Sequence, residues 1–109
     1  MAALVVAGIS QAAAAGKQPP KSPSPGVLCD RWMCADANGV SKDLTTKYLG
    51  KKAADRLYSQ GAFDPTGFTL DNGVYCDAND KACYVDKFFD VNGKRSAINR
   101  QYTKILFGK

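Results

Sequence analysis

The side chains from which this chain could build chemistry are four cysteines and ten acidic residues, every acid an aspartate, with no histidine and no glutamate. Without histidine, Ser-His-Asp and Cys-His nucleophilic catalysis and histidine-ligated metal chemistry are excluded within the chain. Two aspartates could act as acid and base if burial or mutual repulsion separated their pKa values. No aspartate stands in an apolar setting that points to this, so the expectation is a protein that is not an enzyme, with an aspartate-dependent hydrolase kept only as a third reading.

The cysteines carry more information. Cys29 and Cys34 flank four residues, and Cys76 and Cys83 flank six. Neither spacing is the Cys-x-x-Cys of a zinc knuckle or a thioredoxin-like site, and the expectation is that the chain holds no metal and no cofactor. Four cysteines allow three connectivities. Local pairing, Cys29–Cys34 and Cys76–Cys83, is expected, with each pair opposed on adjacent strands of a hairpin. Asp36-Ala37-Asn38-Gly39 and Asp77-Ala78-Asn79-Asp80 lack the remaining ligands of a calcium loop and read as turns.

Two binding sites are suggested. Gly93-Lys94-Arg95-Ser96 reads as a helix start, where free N–H groups and the helix dipole favour a phosphate or sulfate. Lys94, Arg95, Ser96, Arg100 and Lys104 form that candidate anion site. Trp32, in the short loop between Cys29 and Cys34, is the candidate anchor for a protein partner.

The elements that must position these residues follow from local pattern. Val27 to Cys34 reads as two short strands about a tight turn. Ser41 is placed to cap a helix with apolar positions Leu44, Tyr48 and Leu49, then Ala53, Ala54, Leu57 and Tyr58, and Gly50 splits it in two. Phe68 to Leu70, Val74 to Cys76 and Ala82 to Val85 read as a three-stranded meander turning at Asn72-Gly73. A last helix, capped at Ser96, carries Ile98, Tyr102, Ile105 and Leu106 on one face. Gly26-Val27-Leu28-Cys29-Asp30 parallels Gly73-Val74-Tyr75-Cys76-Asp77, which points to internal duplication of a ββα unit.

Residues 1–15 are uncharged and apolar and end in an alanine cluster, the pattern of a secretory signal peptide, although the usual leading basic residues are missing. Residues 16–26, with Pro19, Pro20, Pro23 and Pro25, are expected to be a flexible tether, and residues 27–109 a single domain. The apolar run breaks at Ser10-Gln11, too early for a transmembrane helix. The net charge of +5 is uneven: Lys42 to Arg56 and Val91 to Lys109 are basic, while Gly61 to Asp90 is acidic. A basic face suits an anionic envelope component, and nucleic acid is not the expected partner.

The segments Gly26-Val-Leu-Cys-Asp-Arg-Trp-Met-Cys-Ala, Leu44-Thr-Thr-Lys-Tyr-Leu-Gly-Lys-Lys-Ala-Ala, Asn72-Gly-Val-Tyr-Cys-Asp and Gly93-Lys-Arg-Ser-Ala together resemble the YcgJ family, also called Fels prophage protein-like. The resemblance covers nearly all of the chain after the leader. It implies a small exported bacterial protein of uncharacterised function, and supplies no catalytic or binding residues.

The expectation is therefore an α+β domain stapled by two disulfides, its cysteine-clipped hairpins forming an antiparallel sheet against two or three helices. Packing is expected through Leu44, Tyr48, Leu57, Ile98, Tyr102, Ile105 and Leu106. The expected function is a periplasmic or secreted binding module, recognising an anionic envelope component or a protein. An accessory structural protein of the envelope or of a prophage is the alternative.

Overall fold

The computed structural model describes residues 19–109. The leader expected over 1–15, and residues 16–18 of the expected tether, lie outside the described residues.

Six short strands and three helices follow in the order β1 (Leu28–Cys29), β2 (Cys34–Asp36), β3 (Gly39–Val40), α1 (Lys42–Leu49), α2 (Lys51–Tyr58), β4 (Gly67–Thr69), β5 (Tyr75–Asp77), β6 (Ala82–Tyr84) and α3 (Arg100–Phe107). This is an α+β domain with both expected disulfides in place. The strands divide between two antiparallel sheets, β1-β2-β3 and β4-β5-β6, where one sheet was expected. The sheets meet where Val40 donates its N–H to the Pro65 carbonyl at 2.8 Å. Gly39 lies so close to Pro65 that a Cβ would collide with its carbonyl oxygen, and φ of +114° also excludes other residues from easy entry. One such bond joins the sheets without extending the ladder.

Each disulfide links residues directly opposed across a strand pair, Cys29 with Cys34 and Cys76 with Cys83. Their Cα atoms are 4.1 Å and 3.9 Å apart. Such closeness belongs to the non-hydrogen-bonded positions of an antiparallel ladder, whose side chains also lie nearest each other. The main-chain groups of these cysteines consequently point outwards. Cys29 exchanges both bonds with Lys21. Cys34 donates its N–H to Thr45 Oγ1 and accepts from Ser41 N–H. Cys83 donates to Thr103 Oγ1 and accepts from Asn99 N–H.

The same local arrangement recurs in the two halves, apart from α2, which follows the first half only. Ser41 and Asn99 each cap an eight-residue helix, accepting the N–H of Leu44 and of Tyr102. Each helix then returns a threonine hydroxyl, Thr45 or Thr103, to the second cysteine of its disulfide, and each ends at a glycine, Gly50 or Gly108. The halves differ in the link between Ala35 and Val40 and its counterpart between Tyr84 and Ile98. The first is the tight turn Asp36–Gly39; the second is the longer excursion Val85–Ala97.

Three expectations are corrected. The last helix starts at Arg100, capped by Asn99, so Ser96 is not its cap and Ile98 is an exposed residue outside it. The described part of the expected tether is folded: Lys21 pairs with Cys29, and Tyr48 Oη donates to Ser24 Oγ at 3.2 Å. The ordered domain therefore begins before Val27. The main core gathers Leu28, Met33, Phe68, Leu70, Tyr102 and Leu106 from both halves, while α1 covers a smaller cluster about the first disulfide.

Candidate functional site

Trp32 owes its position to the buried carboxylate of Asp30. Asp30 Oδ1 accepts the N–H groups of Trp32 and Met33 at 2.8 and 3.0 Å, and the Asp30 N–H donates to the Met33 carbonyl. These bonds and the Cys29–Cys34 bridge leave the four-residue turn little freedom. Asp30 Oδ2 accepts the Asp71 N–H, anchoring the turn to the end of the β4 segment. Met33 is drawn into the core, while Trp32 stays 46% exposed. The Arg31 guanidinium stacks on its ring at 4.9 Å and pairs with Asp71 at 3.1 Å.

The indole stands at the rim of a cleft of about 430 Å³ walled by Met33, Val40, Leu57, Phe63, Phe68 and Leu70. A smaller hollow of about 270 Å³ separates Trp32 from Ala53, Arg56 and Gln60 at α2. The larger lies within the range of about 300–1,000 Å³ usual for ligand sites. Its floor is the strand segment Gly67–Leu70, and its far wall is the end of α2 with the loop to Phe63. Phe63 is held there by its packing on Tyr58, with ring centroids 5.2 Å apart.

The candidate anion site does not assemble as expected. Gly93 to Ser96 belong to the Val85–Ala97 excursion, not to a helix start. The N–H groups of Gly93 and Lys94 are turned inwards, to the Asp90 carbonyl and to Asp90 Oδ1, each at 2.9 Å. Arg95 is enclosed by three rings, lying 4.3 Å from Phe89, 4.8 Å from Tyr84 and 5.1 Å from Tyr75, with Asp80 at 3.9 Å. The Ser96 hydroxyl accepts the Asp86 N–H and donates to the Asp86 carbonyl. Lys94, Arg100 and Lys104 remain exposed, the last two one turn apart on α3.

The expected turns carry local bonds: Asp36 Oδ1 accepts from Asn38, and Asp77 Oδ1 from Asn79 and Asp80. Among the displaced aspartates, a hydrogen bond from Lys51 holds Asp55 below the ordinary carboxylate value, and the Thr66 hydroxyl and N–H do the same for Asp64.

Sequence reasoning missed two features. Asp30 stands next to Cys29 with no local sign of its partner at Asp71. The excursion leaves Phe88 64% exposed and Val91 100% exposed, signalled only by Phe88-Phe89 between Lys87 and Asp90 and by Val91 after it.

Residues 20–107 match the family model described as YcgJ protein. The chain belongs to the YcgJ family. A YcgJ relative from Escherichia coli (strain K12), bearing the name Uncharacterized protein YcgJ, is 50% identical over 88 residues, which is 80% of this chain and 72% of the relative. No solved structure matches. The matched span takes in Lys21, which closes the first sheet, and ends at Phe107, the last residue of α3. Every strand and helix described above thus lies inside the YcgJ span. Among the described residues no helix is long and apolar enough to cross a membrane. The two disulfides are consistent with an extracellular or periplasmic location.

Proposed function

We propose that this chain is an exported, non-enzymatic binding module that takes a protein partner at the Trp32 cleft. The observation that carries the proposal is a half-exposed tryptophan, rigidly mounted by Asp30 and a disulfide, at the rim of an apolar cleft. Tryptophan is among the commonest energetic anchors of protein interfaces, and an anchor already fixed in place loses little freedom on binding. Export is supported by the leader-like residues 1–15 and by the disulfides.

A non-catalytic role is supported by the lack of histidine and glutamate. The displaced aspartates Asp55 and Asp64 also favour the carboxylate, the direction opposite to that required of a general acid. The protein reading is preferred to anion recognition because Arg95 and Ser96 are engaged within the fold.

The test is selection of linear peptides from a displayed library on the oxidised chain, followed by titration of the wild type and of Trp32→Ala. The expected result is an affinity loss of about 2 kcal/mol or more for the variant, the size of an interface hot spot. Peptides that bind Trp32→Ala as well as wild type contradict the proposal.

A further inference from the structure

We infer that the partner enters the cleft as an extended strand and adds to the outer edge of β4. This rests on the reading of the Trp32 cleft as a protein-binding site and specifies the form of what it binds.

The inference comes from the hydrogen-bond parity of β4. Thr66 accepts from Ala78 N–H, and Leu70 donates to the Val74 carbonyl, both towards β5. Phe68, opposed to Cys76, lies between them in the same phase. Bonding alternates along an antiparallel strand. Gly67 and Thr69 therefore direct their N–H and C=O groups away from β5, and among the described residues these groups have no protein partner.

The other sheet borders are closed. Lys21 covers β1 by exchanging both bonds with Cys29. Pro65 accepts from Val40 at β3, and the Asp71 N–H donates to Asp30 Oδ2, so the outward row of the β4 segment is itself taken at both ends and is free only over Gly67 to Thr69. Thr103, Asn99 and Ile98 cover β6. An open strand edge is ordinarily defended by charge, proline or a bulge. Gly67-Phe68-Thr69-Leu70 carries neither charge nor proline, although the Tyr75 hydroxyl fills the space over one face of Gly67. The undefended edge is also the floor of the Trp32 cleft, since Gly67, Phe68, Thr69 and Leu70 line it.

These features require an occupant with backbone donors and acceptors at strand spacing and apolar side chains at alternate positions. An extended polypeptide supplies both, with main-chain bonds to Gly67 and Thr69 and every second side chain directed between Trp32, Leu57 and Phe63. Small apolar molecules would fill the cleft but leave the edge groups unpaired.

The probe is a peptide selected on the oxidised chain, in its natural form and N-methylated at either set of alternate residues. Amide hydrogen exchange is read at Gly67 and Thr69, and affinity is read for wild type and Trp32→Ala. Strand addition predicts that saturating peptide slows exchange at both amides by about ten-fold or more. It also predicts that N-methylation of one alternate set weakens binding by about ten-fold while the other set is tolerated.

If Trp32→Ala abolishes binding but both amides exchange as in the free chain and N-methylation is tolerated in both sets, the cleft reading stands and strand addition is overturned. If Trp32→Ala binds unchanged, the cleft reading fails and strand addition fails with it. Selection that yields no binding peptide, or slow exchange at Gly67 and Thr69 caused by self-association through β4 without peptide, also overturns the inference.

Discussion

Asp30 Oδ2 accepts the backbone N–H of Asp71 at 2.8 Å across 41 residues of chain. The same carboxylate holds the N–H groups of Trp32 and Met33 through Oδ1, so one buried side chain joins the Trp32 turn to the end of the β4 segment. Asp30→Ala is expected to cost about 3 kcal/mol, because it removes charge-assisted bonds and leaves donors unpaired. Urea unfolding of the oxidised protein measures the loss. Trp32 fluorescence anisotropy should fall in the folded variant as the turn is released.

The two threonines that return to the disulfides occupy equivalent places and should behave alike. Cys34 and Cys83 are fully buried, and Thr45→Val or Thr103→Val leaves the N–H of its cysteine without an acceptor. Each substitution should cost about 1–3 kcal/mol, whereas the serine variants, which keep the hydroxyl, should lose less. An insensitive Thr103→Val beside a costly Thr45→Val would contradict the equivalence.

The repeat also predicts a graft. Replacing Val85–Ala97 by Asp-Ala-Asn-Gly, the turn that does the same work in the first half, should preserve both disulfides and all three helices. Circular dichroism and disulfide mapping check this. Loss of α3 would mean that the excursion is required to seat the helix, contrary to the repeat.

Much of this architecture is legible in the chain because its signals are local. The cysteine spacings, Asn72-Gly73, the Ser41 cap and Gly50 each act over a few residues, and their elements stand where those residues imply. The start of α3 is not legible, since Ser96 has the type of a cap but its hydroxyl is used by Asp86, and Asn99 caps instead. Arg95 likewise reads as a free cation until Tyr75 and Tyr84 arrive from the meander to enclose it. The candidate anion site fails for that non-local reason. The free stretch of the β4 edge is equally invisible, because it depends on where Val40 and Asp30 meet that edge and on how Lys21 and Thr103 close the others. Trp32 was visible as a residue, whereas its cleft depends on α2 and β4 meeting beside it.

Stability should depend on pH at both ends of the scale. Burial first, and then the hydrogen bond to Asp80, raise the Tyr84 phenol above its ordinary value of 10.0; burial and then Asp77 raise Tyr75. A phenol that holds its proton more tightly when folded stabilises the fold fully below the unfolded value, and that contribution is lost as pH rises through the folded one. The urea midpoint should therefore fall above about pH 10, and Tyr84→Phe should flatten the fall. Asp64, lowered by Thr66, acts in the opposite sense: its contribution is present above the unfolded value of 3.8 and is lost as pH falls through the lower folded value. Thr66→Val should flatten the acid limb. A midpoint independent of pH in both ranges would contradict these assignments.

The central claim is that the Trp32 cleft receives a protein partner, and the most direct measurement is amide and indole chemical-shift mapping of the oxidised chain titrated with a selected linear peptide. The account predicts that the largest shifts fall on the Trp32 indole and on the amides of Leu57, Phe63 and Gly67 to Leu70. Shifts confined to Arg100 and Lys104, or to the exposed Phe88 and Val91, with the Trp32 indole unmoved, would contradict it.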